Sequence, residues 1–320
     1  MMNNICVSVV IPTFNHENFV IQAIQSVFDQ TYKNYELIVV DDGSTDNTKD
    51  RVSSLFDGRL KYIYQANKGL SAARNTGIKY SGYEYVAFLD ADDKWLPNKL
   101  ELQVARMNQD PGIGLLGCGY YVINEKGVIE MEVPGSPVKD QNKFKKSLFI
   151  RNIVSGSGSG VLIRREVLSK VGFFDETLTA SEDWDMWLRI AGYYKIDILE
   201  EVLVKIMHRS NSMSAPVNAA KMLSNALKIL EKNLKSGYGN KFINIKKTAY
   251  SDRYYRAAEA FYLLGEKKEA RQLVTKSFLL DPFSFLFLFQ KAQLLAKLGL
   301  SEEFVIFLRR FFNAFKNRRP

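Results

Sequence analysis

The residues best suited to chemistry are the three carboxylates Asp90, Asp92 and Asp93, which directly follow the apolar run Val86–Leu89. Such a run, with a β-branched residue, is typical of a strand covered on both faces of a sheet. Because ionised carboxylates are costly to bury, we expect them at the end of this strand, where open α/β sheets bind ligands. An Asp-x-Asp sequence there suits a hard divalent cation that holds a phosphate. Asp-rich turns are also common in solvated loops, so the motif needs support from its neighbours.

The elements that must position these carboxylates alternate between strands and helices. Apolar runs predict four strands, and apolar residues at helical spacing predict three helices between them. The strands are expected at Val7–Ile11 (ended by Pro12), Leu37–Val40, Leu60–Tyr64 and Val86–Leu89, and the helices at Asn18–Phe28, Thr45–Leu55 and Ser71–Tyr80. The alternation predicts an α/β fold with a parallel, Rossmann-like sheet.

The middle of the chain, about 113–205, is less regular. Strands are expected at Ile113–Val122 and Gly160–Ile163, and a helix at Trp184–Ala191. The alternating Ser-Gly run from Ser155 to Gly160 has the composition of a linker. Because it lies between apolar runs, it is equally compatible with a tight loop where the backbone approaches a ligand.

Four other polar clusters fall at predicted strand ends or loops, and with Asp90–Asp93 they carry a family resemblance. The sequence resembles the family 2 glycosyltransferases of the GT-A fold. The matching segments are Val7–Asn15, Ile38–Asp46, Gly69–Asn75, Asp90–Asp93 and Glu182–Asp183. The resemblance covers about residues 5–215. It implies a mostly parallel central sheet, with a nucleotide-sugar-binding half at 1–105 and an acceptor-binding half at 106–215.

The resemblance implies a nucleotide-sugar donor, expected to be a UDP-sugar, bound by the first half. Asp42 looks like the family's base-binding aspartate, whose carboxylate accepts the imide N–H of uracil. Pro12, Thr13 and Phe14 would wall the base and ribose. Arg74 would approach the diphosphate, or would be a solvated helix residue.

The same resemblance implies Mn²⁺ or Mg²⁺, which would neutralise the diphosphate as it leaves. Asp92 looks like the metal ligand, and Asp90 like a contact to the ribose or the metal. The run of carboxylates leaves the register open, so Asp93 can replace either. His208 is a further candidate ligand, because some relatives carry a histidine here in an aromatic-Arg-x-His run and imidazole suits Mn²⁺. The aromatic-Arg part of that run is missing in this chain.

Asp183 matches the family's catalytic base, which deprotonates the acceptor hydroxyl. Glu182 is its rival, and two adjacent acids raise each other's pKa. By resemblance the reaction inverts the anomeric centre in one displacement. The Gln-x-x-Arg-Trp sequence of processive synthases is absent, which favours transfer of one sugar per encounter.

Composition limits the class of protein. The chain has 320 residues, 46% hydrophobic and 25% charged, as in an ordinary globular protein. Only Cys6 and Cys118 occur, which favours a reducing cytoplasm over a disulfide framework. The first ten residues lack the pattern of a signal peptide, and no apolar run approaches the roughly 20 residues of a membrane span.

The net charge of +9 lies in the last 80 residues. Residues 1–240 contain 28 basic and 28 acidic residues, whereas 241–320 contain 16 and 7. Residues 303–320 mix phenylalanine with arginine and lysine, as in a basic amphipathic helix that lies on an anionic membrane surface. The alternative is a solvated face packed on the protein. Nucleic acid is a weaker candidate, because no basic helix is interleaved with base-reading polar residues.

From about residue 216 the chain is expected to be a helical extension. Ser251–Pro282 resembles a single tetratricopeptide-like helix pair with its turn at Leu264–Glu266. One such repeat buries its own face poorly, so it is expected to be an annex to the catalytic domain, 1–215, and not a peptide-binding array.

These observations predict a cytoplasmic glycosyltransferase at the inner face of a membrane, in the bacterial style. Its acceptor is expected to be a saccharide or a lipid-linked saccharide in surface polysaccharide or glycan assembly. Two alternatives remain open. One is a catalytically inactive scaffold that binds partners through its helices. The other is a nucleotidyltransferase, which ranks lower because Pro12–Asn15 lacks a Gly-rich basic phosphate loop.

Overall fold

The computed structural model of the chain describes residues 6–282, except 56, 155, 157, 210, 211, 213, 214, 237 and 238, together with 293, 294 and 297–299. Two compact units divide them. The first takes residues up to 148 and 152–210, and the second takes 149–151 and the residues from 211 onward. The functional division at 105 and 215 stays a prediction.

The first unit is built on one curled, mixed sheet. Its strands are β1 Val7–Thr13, β2 Tyr35–Asp41, β3 Leu60–Tyr64, β4 Tyr85–Phe88, β5 Lys94–Trp95, β6 Ile113–Ile123, β7 Ile129–Val133, β8 Leu162–Arg164 and β9 Lys195–Met207. They lie in the order β3-β2-β1-β4-β8-β6-β9-β5, with β7 beside β6. β1 to β4 run parallel, whereas β8 is antiparallel to both β4 and β6. The predicted α/β class and the parallel sheet of the first hundred residues are confirmed.

Ten α-helices connect or follow these strands in the described part of the chain. They are α1 Val20–Phe28, α2 Thr48–Ser53, α3 Leu70–Tyr80, α4 Lys99–Gln109, α5 Gln141–Ile150, α6 Arg165–Val171, α7 Glu182–Tyr193, α8 Ala219–Lys235, α9 Lys246–Leu263 and α10 Lys267–Leu280. The helix predicted from Thr45 starts later, at Thr48, because Asn15 and Glu17 bind the backbone of residues 45 and 47.

Pro12 does not end the first strand, contrary to the prediction. β1 continues through Pro12 to Thr13, and every residue of it is buried. The pairing of β1 with β4 stops at Val10, whereas its pairing with β2 continues to Thr13. Pro12 therefore has a neighbouring strand on one side only, where the missing N–H of proline is tolerated.

The contact between α3 and β1 makes Gly77 a sensitive position. A Cβ at Gly77 would lie 2.2 Å from Cγ1 of Val10, a buried residue of the sheet. Alanine favours a helix over glycine by about 1 kcal/mol, but overpacking a core costs about 1–3 kcal/mol. We therefore expect Gly77→Ala to lower the free energy of unfolding, measured by urea denaturation with tryptophan fluorescence. Gly58→Ala, with no atom within 4 Å of the added Cβ, is the control, and equal losses in the two variants would contradict the prediction.

The second unit contains the predicted helical extension. α9 and α10 share a core that includes Tyr255, Ala270, Val274 and Phe278. The predicted turn between them is confirmed, since α9 ends at Leu263, α10 begins at Lys267, and Gly265 between them has φ +83°.

No helix among the described residues is long and apolar enough to cross a membrane. The basic amphipathic segment, 303–320, lies outside the described residues, so its membrane contact stays a prediction.

Candidate active site

Asp42 lies just beyond β2, where it organises the start of α3. Its Oδ1 accepts hydrogen bonds from Gln65 Nε2 (2.7 Å) and the Lys68 N–H (3.0 Å), and its Oδ2 accepts one from the Gly69 N–H (2.7 Å). Gln65 is itself held by the Thr76 hydroxyl (2.5 Å). Since a carboxylate offers about four acceptor positions, Oδ2 has room for one more donor. The predicted contact with a nucleobase N–H needs one such position.

The two loops beside Asp42 are hydrogen-bonded to each other. The Asn15 N–H donates to Ser44 Oγ (2.9 Å), and the Thr45 N–H donates to Asn15 Oδ1 (2.8 Å). Asn15 has φ +53°, a left-handed conformation that asparagine adopts more readily than most residues. The Thr13 side chain is buried with no hydrogen-bond partner for Oγ1 among the described residues, and the Phe14 ring is 42% exposed. An orphan hydroxyl and an exposed ring therefore stand next to Asp42.

Arg74 joins the carboxylates of two distant motifs. It projects from α3, is 1% exposed, and donates from Nη2 to Asp90 Oδ1 (2.7 Å) and from Nη1 to Glu182 Oε1 (2.5 Å). Its guanidinium also lies 5.4 Å from the centre of the Phe174 ring. One guanidinium therefore binds both the acidic cluster after β4 and the first turn of α7. In this structure Arg74 is neither a solvated residue nor an unpaired cation, and its approach to a diphosphate stays a prediction.

Asp183 lies beside Glu182 in the first turn of α7. The side chain is 9% exposed, and its Oδ2 accepts a hydrogen bond from Asn152 Nδ2 (3.1 Å). Burial raises the pKa of Asp183 to about 6, and the charge of Glu182 adds to this rise, whereas Arg74 opposes it. A carboxyl group with this pKa is ionised at neutral pH and still has a raised affinity for a proton, as a general base requires.

Asp92 and Asp93 have different surroundings. Asp92 is bound by Nη2 of Arg209. Asp93 is buried, where its carboxylate accepts hydrogen bonds from the Ser159 hydroxyl (2.6 Å) and the Met207 N–H (2.9 Å), and burial raises its pKa. Asp93 therefore lies inside the fold, where it connects Ser159 to the end of β9. His208 follows β9 and has an exposed side chain. Its backbone N–H donates to the Ile123 carbonyl (2.8 Å).

The end of the Ser-Gly run forms part of this site. Gly158–Gly160 is a buried turn of 3-10 helix, and Ser159 Oγ also accepts the N–H of Asp90 (3.0 Å). A Cβ at Gly158 would lie 2.8 Å from Nη2 of Arg74. Gly158–Gly160 is therefore a close-fitting turn against the Arg74 guanidinium and not a linker, and its contact with a ligand stays a prediction.

Residues 8–172 match the family model described as Glycosyl transferase family 2. The chain belongs to this family. It is 31% identical over 230 residues to the Escherichia coli enzyme named UDP-Glc:alpha-D-GlcNAc-diphosphoundecaprenol beta-1,3-glucosyltransferase WfgD, and the match covers 72% of this chain and 87% of WfgD. Family membership removes the nucleotidyltransferase alternative. The chain spans only about a third of the length of two other curated relatives, both uncharacterised glycosyltransferases from Rickettsia.

Two solved structures share the fold of this family 2 glycosyltransferase. Staphylococcus aureus TarS 1–349 in complex with UDP-GlcNAc has a TM-score of 0.61 at 20% identity, over 86% of this chain and 81% of TarS 1–349. The Pyrobaculum calidifontis mannosyltransferase PcManGT in complex with GDP-Man and Mn²⁺ has a TM-score of 0.59 at 19% identity, over 92% of this chain and 86% of PcManGT. At these identities the likeness confirms the GT-A fold and nothing finer.

The residues present fit part of a divalent-metal site. Asp90 and Asp92 supply hard oxygen ligands, and each has a second carboxylate oxygen beyond the one bound by arginine. The described residues contain no group of three His, Cys, Asp or Glu side chains that could hold a metal. A metal held by Asp90 and Asp92 would need further ligands beyond these two carboxylates. His208 as a ligand stays a prediction.

Several residues of this site have no chemical motif in the sequence that identifies them. Asn152 contacts Asp183, Gln65 orients Asp42, and Ser159 connects Asp90 to Asp93. Each acts through one or two hydrogen bonds to partners distant in sequence. The Ser-Gly run is the one available signal, since its Gly content indicates a close backbone approach.

Proposed function

We propose that this enzyme transfers a hexosyl or N-acetylhexosaminyl group from a UDP-sugar to a hydroxyl of a saccharide acceptor, with inversion. The observation that carries the proposal is the Asp90–Arg74–Glu182 bridge, because it holds the Asp-x-Asp carboxylates close to Asp183. A leaving diphosphate and an attacking hydroxyl must meet at one anomeric carbon. A cation-binding carboxylate and a base within one buried cluster meet that requirement.

Asp183 is proposed as the base. Its carboxylate takes the proton of the acceptor hydroxyl while that oxygen bonds to the anomeric carbon and the bond to the diphosphate breaks. Burial beside Glu182 supplies the basicity, since it raises the pKa of Asp183 to about 6. Asn152 Nδ2 and the Trp184 N–H (2.7 Å) fix the orientation of the carboxylate. Glu182 is less suited to this role because Arg74 occupies one of its oxygens.

The donor is proposed to bind at the carboxyl ends of β1 and β2. Asp42 Oδ2 would accept the N3–H of uracil, and Thr13 Oγ1 would gain the partner it lacks among the described residues. Pro12 and Phe14 would complete the wall around the base and ribose. The complex of TarS with UDP-GlcNAc supports a UDP-sugar, whereas the complex of PcManGT with GDP-Man shows that this fold also accepts another base.

Asp90 and Asp92 are proposed to hold Mn²⁺ or Mg²⁺, which stabilises the charge of the leaving diphosphate when bound. The Mn²⁺ in the PcManGT complex supports this choice of ion. The two carboxylates would hold the ion, and Ser159 positions the backbone of Asp90.

The acceptor is proposed to be a lipid-linked saccharide of polysaccharide biosynthesis. The support is the name of WfgD, whose acceptor is a sugar on diphosphoundecaprenol. We place the enzyme in the cytoplasm, at an anionic membrane surface reached by residues 303–320. The absence of a disulfide between Cys6 and Cys118 and the basic composition of that segment support this location.

The first test is thermal stabilisation of the full chain by UDP, GDP, CDP and dTDP, each with and without Mn²⁺. We expect UDP with Mn²⁺ at about 100 times its Kd to stabilise the protein by about 2.7 kcal/mol, seen as a rise in melting temperature. Asp92→Asn should lose the Mn²⁺-dependent part of that rise. Stabilisation by a different nucleotide would correct the donor class. An absence of stabilisation by all four would favour the inactive scaffold.

A further inference from the structure

Arg209 binds the carboxylate of Asp92, the predicted metal ligand. Its Nη2 binds Asp92 Oδ2 and also lies 3.2 Å from Nε2 of His16. Its guanidinium carbon is 5.1 Å from the centre of the Phe19 ring, within the range of a cation–π contact. His16 and Phe19 thus hold the guanidinium against Asp92. The neighbouring His208, a predicted metal ligand, has an exposed side chain.

A guanidinium and a divalent cation compete for the same carboxylate. Both are attracted by the lone pairs of Asp92, and at contact distance the two positive charges repel each other strongly at low dielectric constant. Asp92 and Arg209 are each only 18% exposed in their side chains, so water screens that repulsion incompletely. A metal bound to Asp92, even through Oδ1, is therefore destabilised for as long as the Arg209 guanidinium stays on Oδ2.

The two arginines of the site differ in how easily they can leave. Arg74 is fully buried on α3 and binds Asp90 and Glu182 together, so its removal would leave two carboxylates without their cation. Arg209 lies beyond the end of β9 and has a partly exposed side chain, so its guanidinium can reach water without opening the core. Of the two, Arg209 is the displaceable cation.

We propose that Arg209 is the resident counter-ion of Asp92 and competes with the divalent metal for it. The inference rests on the metal site of the proposed function. It predicts that the free enzyme binds metal weakly, because a metal ion at Asp92 must either tolerate the nearby guanidinium or displace it. The diphosphate of the donor would then favour metal binding by offering the released guanidinium a new anion.

The test measures Mn²⁺ binding to the full chain without any nucleotide. The free Mn²⁺ is quantified by its electron paramagnetic resonance signal. Arg209→Met is expected to bind Mn²⁺ about tenfold more tightly than the wild type, since the Asp92 carboxylate is no longer shared with a guanidinium. Arg209→Lys keeps a competing cation and should stay near the wild type. Arg106→Met, which removes the arginine paired with Asp197 (2.7 Å), is the matched control for charge and should change nothing.

Two further results test whether Arg209 competes with the metal for Asp92. Asp92→Asn in the Arg209→Met background should abolish the gain, which places the metal on Asp92. Unchanged or weaker Mn²⁺ binding by Arg209→Met, or a gain of equal size in Arg106→Met, would overturn the competition. Because no donor or acceptor is present, this result is independent of whether the chain transfers a sugar.

Discussion

Replacing Asp183 with asparagine is expected to lower kcat for sugar transfer by about a thousandfold, the usual contribution of a general base. The change is nearly isosteric, and the amide oxygen of the new side chain can keep one of the two hydrogen bonds, from Asn152 or from the Trp184 N–H, that orient the wild-type carboxylate. Donor binding should be unchanged, because Asp183 acts on the acceptor hydroxyl. The measurement is steady-state transfer from a UDP-sugar, paired with calorimetric titration of UDP into each protein.

The pH dependence supplies the matching signature. The pKa of Asp183 is raised above its ordinary value, to about 6, by burial and by the charge of Glu182. Protonation removes the base, so kcat/KM should fall tenfold per pH unit below about 6 and level off above it. Glu182→Gln removes the neighbouring charge and should move the break to lower pH. Full activity in Asp183→Asn, or a profile without a break near pH 6, would assign the base elsewhere.

Replacing Arg74 with methionine is expected to lower the free energy of unfolding by about 3–5 kcal/mol. The reason is that Glu182, 5% exposed, would keep its charge inside the fold without a partner. Urea denaturation monitored by tryptophan fluorescence measures the unfolding of the first compact unit selectively. All three tryptophans of the chain, Trp95, Trp184 and Trp187, lie in the first compact unit.

The double variant Arg74→Met with Glu182→Met tests the cause of that loss. Removing both members of a buried ion pair is often nearly neutral, whereas removing one is costly. We therefore expect the double variant to recover most of the stability lost by Arg74→Met. A double variant as unstable as the single one would show that Arg74 stabilises the fold through packing on Phe174 or through Asp90.

The strands of the first half can be predicted because their signal is local. The prediction of Leu60–Tyr64 matches the bounds that the structure has, and Leu37–Val40 lies within β2. An apolar run stopped by Asp or Pro predicts both a buried strand and its polar end. The prediction at Pro12 is wrong because the end of β1 depends on how far β4 accompanies it, which a single run of residues does not encode.

The pairing of the site residues cannot be predicted in the same way. Arg74 and Glu182 are 108 residues apart in sequence, and no periodicity connects them. The sequence leaves the register of the acidic run open because Asp92 and Asp93 are chemically identical. Only the position of Ser159 and the Met207 N–H makes Asp93 the buried member. In the same way, the sequence does not indicate that Arg209, and not the neighbouring His208, binds Asp92 in this structure.

Strand β5 has a consequence for recombining members of this family. It is two residues long and lies at the edge of the sheet. It pairs Lys94 and Trp95 with Lys205 and Val204 of β9, more than 100 residues later in the chain. The Leu96 N–H donates to the Leu203 carbonyl (2.9 Å) beside this pair. A chimera cut between the two halves would set these residues against a foreign β9. Parents are best exchanged so that 93–96 and 203–207 come from the same sequence.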